Sequence, residues 1–169
     1  MWLNTCLLPS KGLVYMCEFI LKDHIETLRL GEQFSSLLSG GEIVGLCGEL
    51  GSGKTTFVKG VMNGLAYEGY VKSPTFTIVN SYKTKTLLVH HFDLYRLSSF
   101  EELNLMGFEN YPGSDSVILI EWFDRFEELT RLNHIRVDFE YLDENTRRIH
   151  FSTNSPEYND IIKKIQRLK

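Results

Sequence analysis

Gly48-Glu49-Leu50-Gly51-Ser52-Gly53-Lys54-Thr55 is the stretch from which the rest of the chain can be read. It fits the pattern G-x-x-x-x-G-K-[ST], and the apolar run ahead of it, Ile43-Val44-Gly45-Leu46-Cys47, has the make-up of a buried strand. Glycines at 48, 51 and 53 allow positive φ angles, so backbone N–H groups can turn inward and form an anion-binding concavity that Cβ atoms would obstruct. After it, Thr56-Phe57-Val58-Lys59-Gly60-Val61-Met62-Asn63-Gly64-Leu65 reads as a helix with Phe57, Val61, Met62 and Leu65 on one apolar face. A chance glycine-rich turn would not need strand, loop and helix in this order. The stretch therefore reads as a phosphate-binding loop. In it Lys54 reaches the β- and γ-phosphates, Thr55 offers its hydroxyl to Mg2+, and the helix adds its positive N-terminal end.

The 169 residues are 43% hydrophobic with a formal net charge of -4. That suffices for one domain with a full core. An acidic chain lacks the basic stripe that holding nucleic acid by phosphate neutralisation requires. Cys6, Cys17 and Cys47 show no metal-type spacing, and Cys47 falls inside the strand before the loop, where a thiol acts as a small hydrophobe. The pattern points to a reduced, cytoplasmic setting. The opening nine residues lack a basic n-region, and no apolar run approaches a membrane span. Residues 1–15 read as an N-terminal extension, because Met16 stands directly before the first convincing strand and is an alternative start. Residues 16–169 then make a single domain.

Taken in order, Cys17-Glu18-Phe19-Ile20-Leu21 reads as a strand. Asp23 and Glu26 resemble a capping box for a helix from about 24 to 38, with Ile25, Leu28, Phe34, Leu37 and Leu38 as its apolar face and Gly40-Gly41 as its end. His24 reads as a solvated first-turn residue. From 71 to 82 the chain passes from a bend fixed by Pro74 into a β-rich run. Ser73, Thr75 and Thr77 there could bond a γ-phosphate or its attacking group, or simply satisfy a turn. Residues 83–86 read as a hairpin turn, and the following strand, 87–95, ends in a carboxylate and an aromatic. Asp93 is thereby placed to hold water on Mg2+, orient a nucleophile or pair with a loop cation. His90 and His91 alternate sides of that strand, cannot both face one metal, and read as structural or surface residues.

Residues 97–107 carry a cap, acidic first-turn residues and a closing glycine, which predicts a short helix. Ser116-Val117-Ile118-Leu119-Ile120-Glu121-Trp122 has the appearance of a Walker-B strand lying beside the loop strand, with Glu121 holding Mg2+ or water. Alternating runs at 135–141 and 147–152 flank a polar turn and predict a hairpin at one edge of the sheet, followed by a docked helix over 156–169. The fold class expected is α/β: a P-loop NTPase three-layer fold with a mostly parallel central sheet, antiparallel strands and a C-terminal β-hairpin.

Four blocks in order, GELGSGKTTFVKG at 48–60, SPTFTIVNSY at 73–82, HFDLYRL at 91–97 and IEW at 120–122, closely resemble the TsaE family, also called YjeE, of small bacterial P-loop ATPases. The match covers most of residues 17–152. The resemblance implies a part in making threonylcarbamoyladenosine, a modified adenosine beside the anticodon of tRNAs that read codons beginning with A. It further implies docking on the TsaD protein of a TsaB–TsaD pair, with tRNA met only through that complex and no membrane. The implied ATPase activity is weak alone and partner-stimulated, needed for repeated cycles while the partner catalyses transfer. By the same resemblance, Gly48, Gly51, Ser52, Gly53, Lys54, Thr55 and Thr56 bind the phosphates of ATP or ADP, and Thr55 and Glu121 hold Mg2+. Asp93 and Ser73-Pro74-Thr75 serve hydrolysis or partner coupling, and Tyr95 and Trp122 match family aromatics that touch nucleotide, partner or core. The chain departs from the family pattern at Ala66, where glycine is common, in lacking a proline after IEW, and in residues 1–15.

Two rival readings use the same cradle. A small-molecule or nucleoside kinase would need an acceptor pocket under an arginine-rich lid, and no such segment occurs. A nucleotide-sensing module would hydrolyse ATP only incidentally. Arg96 and Arg125 are candidate cis arginine fingers, although a salt-bridge role suits Arg96 as well.

Overall fold

The computed structural model describes residues 3–7, as a strand, and residues 16–168. Its strands are β1 (Leu3–Leu7), β2 (Met16–Leu21), β3 (Ile43–Gly48), β4 (Val79–Lys83), β5 (Leu88–Asp93), β6 (Ser116–Glu121), β7 (Ile135–Tyr141) and β8 (Arg147–Thr153). Its helices are α1 (His24–Ser35), α2 (Lys54–Gly64), α3 (Phe100–Leu105), α4 (Glu127–Thr130) and α5 (Asn159–Ile165). All strands join one 8-stranded sheet in the order β1-β2-β8-β7-β3-β6-β5-β4. The middle of it, β7-β3-β6-β5, is parallel, and every other pairing is antiparallel.

Alternation along the strands sends side chains to two separate cores. On one face Leu46, Leu119, Val137 and Phe151 meet Phe34 of α1, Phe57 of α2 and Ile162 of α5. On the other, Ile118, Ile120 and Phe92 meet Leu103 of α3, Leu129 of α4 and Phe123. Helices therefore cover both faces, which makes the three layers that the sequence predicts. Cys17 and Cys47 are both buried free thiols, while Cys6 lies among residues whose side chains fall outside the description.

Several expectations need correction. α1 closes at Ser35, not near 38, because Ser36, Leu37 and Leu38 donate to carbonyls three residues back and tighten the chain into a turn. Gly40 and Gly41 lie beyond that turn, at φ 105 and 96. The buried face of α1 is Thr27, Leu30, Gly31, Phe34 and Ser35, whereas Ile25 is exposed. Glycine sets that face: a Cβ on Gly31 would overlap the Phe57 carbonyl, and one on Gly60 would overlap the Leu28 carbonyl. The helix backbones meet where a sequence reader sees only weak helix formers. Glu26 reaches back to the Lys22 N–H at 2.7 Å, one residue beyond the reciprocal bond of a capping box, while Asp23 does accept from Glu26 N–H at 2.8 Å.

The run after Pro74 begins its strand only at Val79, since 75–77 form a turn and Ile78 stands at φ 65. The β7–β8 hairpin lies inside the sheet because β2 pairs with β8, and β1, within the expected N-terminal extension, adds an outermost strand. Residues 1–2, 8–15 and 169 lie outside the description, and so does most of the expected extension.

Candidate functional site

β3 ends at Gly48 and α2 begins at Lys54, so the intervening loop turns back over the helix N-terminus. Gly48, Gly51 and Gly53 stand at φ 138, 76 and 110. A Cβ on Gly48 would overlap the Phe139 carbonyl and jam the loop against β7, and one on Gly51, strained at its positive φ, would lie 2.8 Å from the Tyr141 hydroxyl and displace it. The loop and the carboxyl ends of β5 and β6 enclose a cavity of about 310 Å3. Its lining includes Gly51, Ser52, Gly53, Lys54, Thr55, Thr56, Ser73, Thr75, Asp93, Tyr95, Glu121 and Trp122.

Lys54 is 4% exposed and folds onto its own loop, with Nζ donating to the carbonyls of Gly48 at 2.7 Å and Glu49 at 2.8 Å. Burial holds its ammonium below the usual lysine range, against the pull of Glu121 and Asp93. The same Nζ stands 4.1 Å from the ring centre of Trp122. Glu121, 4% exposed, accepts from Thr55 Oγ1 at 2.8 and 3.0 Å through its two oxygens, and His91 Nε2 lies 2.9 Å from Oε1. The end of β6 is thus tied to the first turn of α2 by a hydroxyl and a carboxylate, the oxygen pair a hard divalent cation takes.

Asp93 is engaged from the bend at 73–75. Its Oδ2 accepts from Ser73 Oγ at 2.6 Å and Thr75 Oγ1 at 2.5 Å, and its Oδ1 accepts from the Tyr95 N–H at 3.0 Å. With two of these three donors coming from Ser73 and Thr75, Asp93 holds the bend closed while lining the cavity. Trp122 adopts the left-handed conformation at φ 61, ψ 39. Such a backbone costs about 1–3 kcal/mol in a non-glycine residue and persists where surrounding contacts enforce it. Here it sets the indole beside Lys54 and 5.1 Å from the Tyr95 ring.

A second cavity of about 180 Å3 lies across the loop, lined in part by Asp23, His24, Thr27, Asn145 and Arg147. Gly51, Ser52, Gly53 and Thr56 line both cavities, which makes the loop a wall between them. Tyr141 braces that wall by donating to the Leu50 carbonyl at 3.0 Å, and the Arg147 guanidinium stacks 4.0 Å from the tyrosine ring. Ser52 Oγ is buried without a partner, as befits a hydroxyl in a cradle made for a ligand.

The family described as "Threonylcarbamoyl adenosine biosynthesis protein TsaE" matches residues 21–149. This chain belongs to the TsaE family. Its similarity to the tRNA threonylcarbamoyladenosine biosynthesis protein TsaE of Haemophilus influenzae is 38% identity over 129 residues, spanning 73% of this chain and 82% of the relative. For the Aquifex aeolicus protein of the same name it is 37% over 134 residues, 78% of this chain and 92% of the relative. Among solved structures, Bacillus subtilis YdiB superposes with a TM-score of 0.78 at 25% identity, covering 93% of this chain and 98% of its own.

The TsaE fold brings most of the sequence-predicted site residues to one cavity. Gly48 lies at the foot of the loop outside its lining, and Pro74 shapes the bend without facing the space. Thr77 bonds Asn80 at 3.1 Å. Neither Arg96, stacked 5.0 Å from the Phe76 ring, nor Arg125, donating to the Leu97 carbonyl at 2.6 Å, lines the cavity. His90 bonds Ser81, as a structural residue would. His91 is fully buried, as a structural residue would be, and its ring bonds Glu121 at the cavity. No sequence signal marks Tyr141, whose position at the end of β7 brings its hydroxyl to the loop. Among the described residues no group of three or more His, Cys, Asp and Glu side chains could hold a metal, so an ion here would draw on Thr55, Glu121 and its ligand's own oxygens. No helix among them is long and apolar enough to cross a membrane.

Proposed function

We propose that this TsaE-family chain serves the formation of threonylcarbamoyladenosine on tRNA as an ATP-binding, slowly hydrolysing accessory protein that acts on a TsaB–TsaD transferase. The observation that carries the reading is the convergence of Lys54, Thr55 and Glu121 on the space beneath a loop whose glycines at 48, 51 and 53 all take positive φ angles. Phosphates lie against the loop N–H groups and the N-terminus of α2. Lys54 Nζ exchanges the carbonyls of Gly48 and Glu49 for phosphate oxygens. Because the loop walls off two cavities, the nucleoside end occupies the smaller one, next to Arg147 and Asn145.

Thr55 and Glu121 hold Mg2+, which when bound neutralises charge on the transferring phosphoryl group. Asp93 orients the attacking water once Ser73 and Thr75 release it, and a partner pressing on the bend at 73–75 is the natural trigger. Among the described residues no arginine lines the main cavity, so transition-state charge is incompletely met and turnover without a partner is slow.

Phosphate release measured with and without TsaB and TsaD, beside phosphotransfer to a panel of nucleosides, tests the reading. Partner-stimulated ADP formation without a phosphorylated acceptor is expected; stoichiometric phosphorylated acceptor would replace the reading with a kinase. Glu121→Ala should cut turnover by about 100-fold while ADP binding in EDTA survives, and an unaffected turnover would leave only a nucleotide sensor.

A further inference from the structure

His91 sits on β5, two residues before Asp93, and strand alternation sends both side chains to the α2 side of the sheet. Its ring is completely buried at 0% exposure. Nε2 lies 2.9 Å from Glu121 Oε1, and since an ionised carboxylate only accepts, Nε2 carries the proton. Nδ1 is buried with no partner. An orphaned buried acceptor costs about 1–3 kcal/mol, which an apolar side chain of similar size would avoid. The imidazole is therefore explained by what Nε2 does, not by how the ring packs.

Glu121 is a flexible side chain at a strand end, and fixing it sacrifices rotamer freedom. Thr55 grips it from α2, but Thr55 is also the hydroxyl that turns a lone pair to the ion in the function proposed above. The His91 bond comes from β5 and does not depend on loading. We propose that His91 is a positioning residue: its Nε2–H presets the Glu121 carboxylate toward Thr55, so that the divalent-ion site exists before ion and nucleotide arrive. This inference rests on the nucleotide reading of the cavity.

The test uses the full chain, ADP as nucleotide and Mn2+ as the ion, with bound Mn2+ counted by electron paramagnetic resonance and ADP affinity measured separately in EDTA. His91→Leu should weaken Mn2+ in the ADP complex by about 10-fold or more, with ADP affinity in EDTA within about twofold of wild type. His91→Gln, whose amide reaches the place of Nε2, should recover most of the loss, and His91→Asn, whose amide stops near Nδ1, should not. Unchanged Mn2+ affinity in the leucine variant, or equal losses in the glutamine and asparagine variants, would overturn the positioning role. If the leucine variant does not fold, the glutamine and asparagine pair decides alone. Wild-type protein that binds no ADP in either condition would instead sink the nucleotide reading beneath the inference.

Discussion

Cys47 illustrates how burial at a single position becomes a pH dependence. Packed at the end of β3, its thiol is pushed from 9.0 up to about 12 by desolvation, with Arg136 pulling the other way. The folded chain keeps a proton that the unfolded chain releases. The resulting stabilisation is complete below about pH 9 and is lost as pH climbs toward 12, by about 1.4 kcal/mol per unit. The difference in unfolding free energy between wild type and Cys47→Ala should therefore shrink above about pH 9; a constant difference across that range would contradict the assignment. That Lys54, Thr55, Asp93 and Glu121 meet at one cavity was readable from the sequence, because each stands at a motif spacing or a strand end. His91 was not, because alternation says which side of β5 it takes but not which residue of β6 it meets. That depends on the pairing of Asp93 with Glu121, a register no local pattern encodes. The left-handed Trp122 was hidden for a related reason, since tertiary contacts and not its own preferences hold it there.

α1 and α2 are joined through glycines, and elements so joined respond sharply to added atoms. Gly60→Ala would gain helix propensity, but its methyl would meet the Leu28 carbonyl. We expect a net loss of about 1–3 kcal/mol in chemical denaturation, and a stabilised variant would show that the helices separate freely. The bend at 73–78 is held differently. Asp93 clamps Ser73 and Thr75, Ile78 N–H donates to the Pro74 carbonyl at 2.6 Å, and Asp93 N–H donates to the Ile78 carbonyl at 2.9 Å. In Asp93→Ala, amide exchange over residues 73–78 should accelerate by about 10-fold or more while β6 keeps its protection; uniform acceleration would mean global loosening instead. The loop, the helix after it and the Walker-B strand could be placed from sequence because glycine pattern and apolar runs fix them locally. The α1 face and the late start of β4 could not, since close helix contact and a clamped turn override periodicity.

At the scale of the molecule, the parallel strands deliver the loop, Asp93 and Glu121 to one end of the sheet, beyond the carboxyl ends of β3, β5 and β6. The α/β class and three layers follow from alternating strands and helices. The strand order does not, because β2, early in the chain, crosses to pair with β8 and turns an expected edge into sheet interior. The pairing of β7 with β3 sets the β7–β8 turn beside the smaller cavity and lets Tyr141 brace the loop. The decisive measurement is a crystal structure with a non-hydrolysable ATP analogue and Mg2+. Its β- and γ-phosphates should lie within the amides of residues 51–56, with Thr55 Oγ1 and Glu121 on the Mg2+ side, directly or through water, and the nucleoside toward Arg147. Phosphates bound elsewhere, or Thr55 and Glu121 parted with no ion near them, would contradict it.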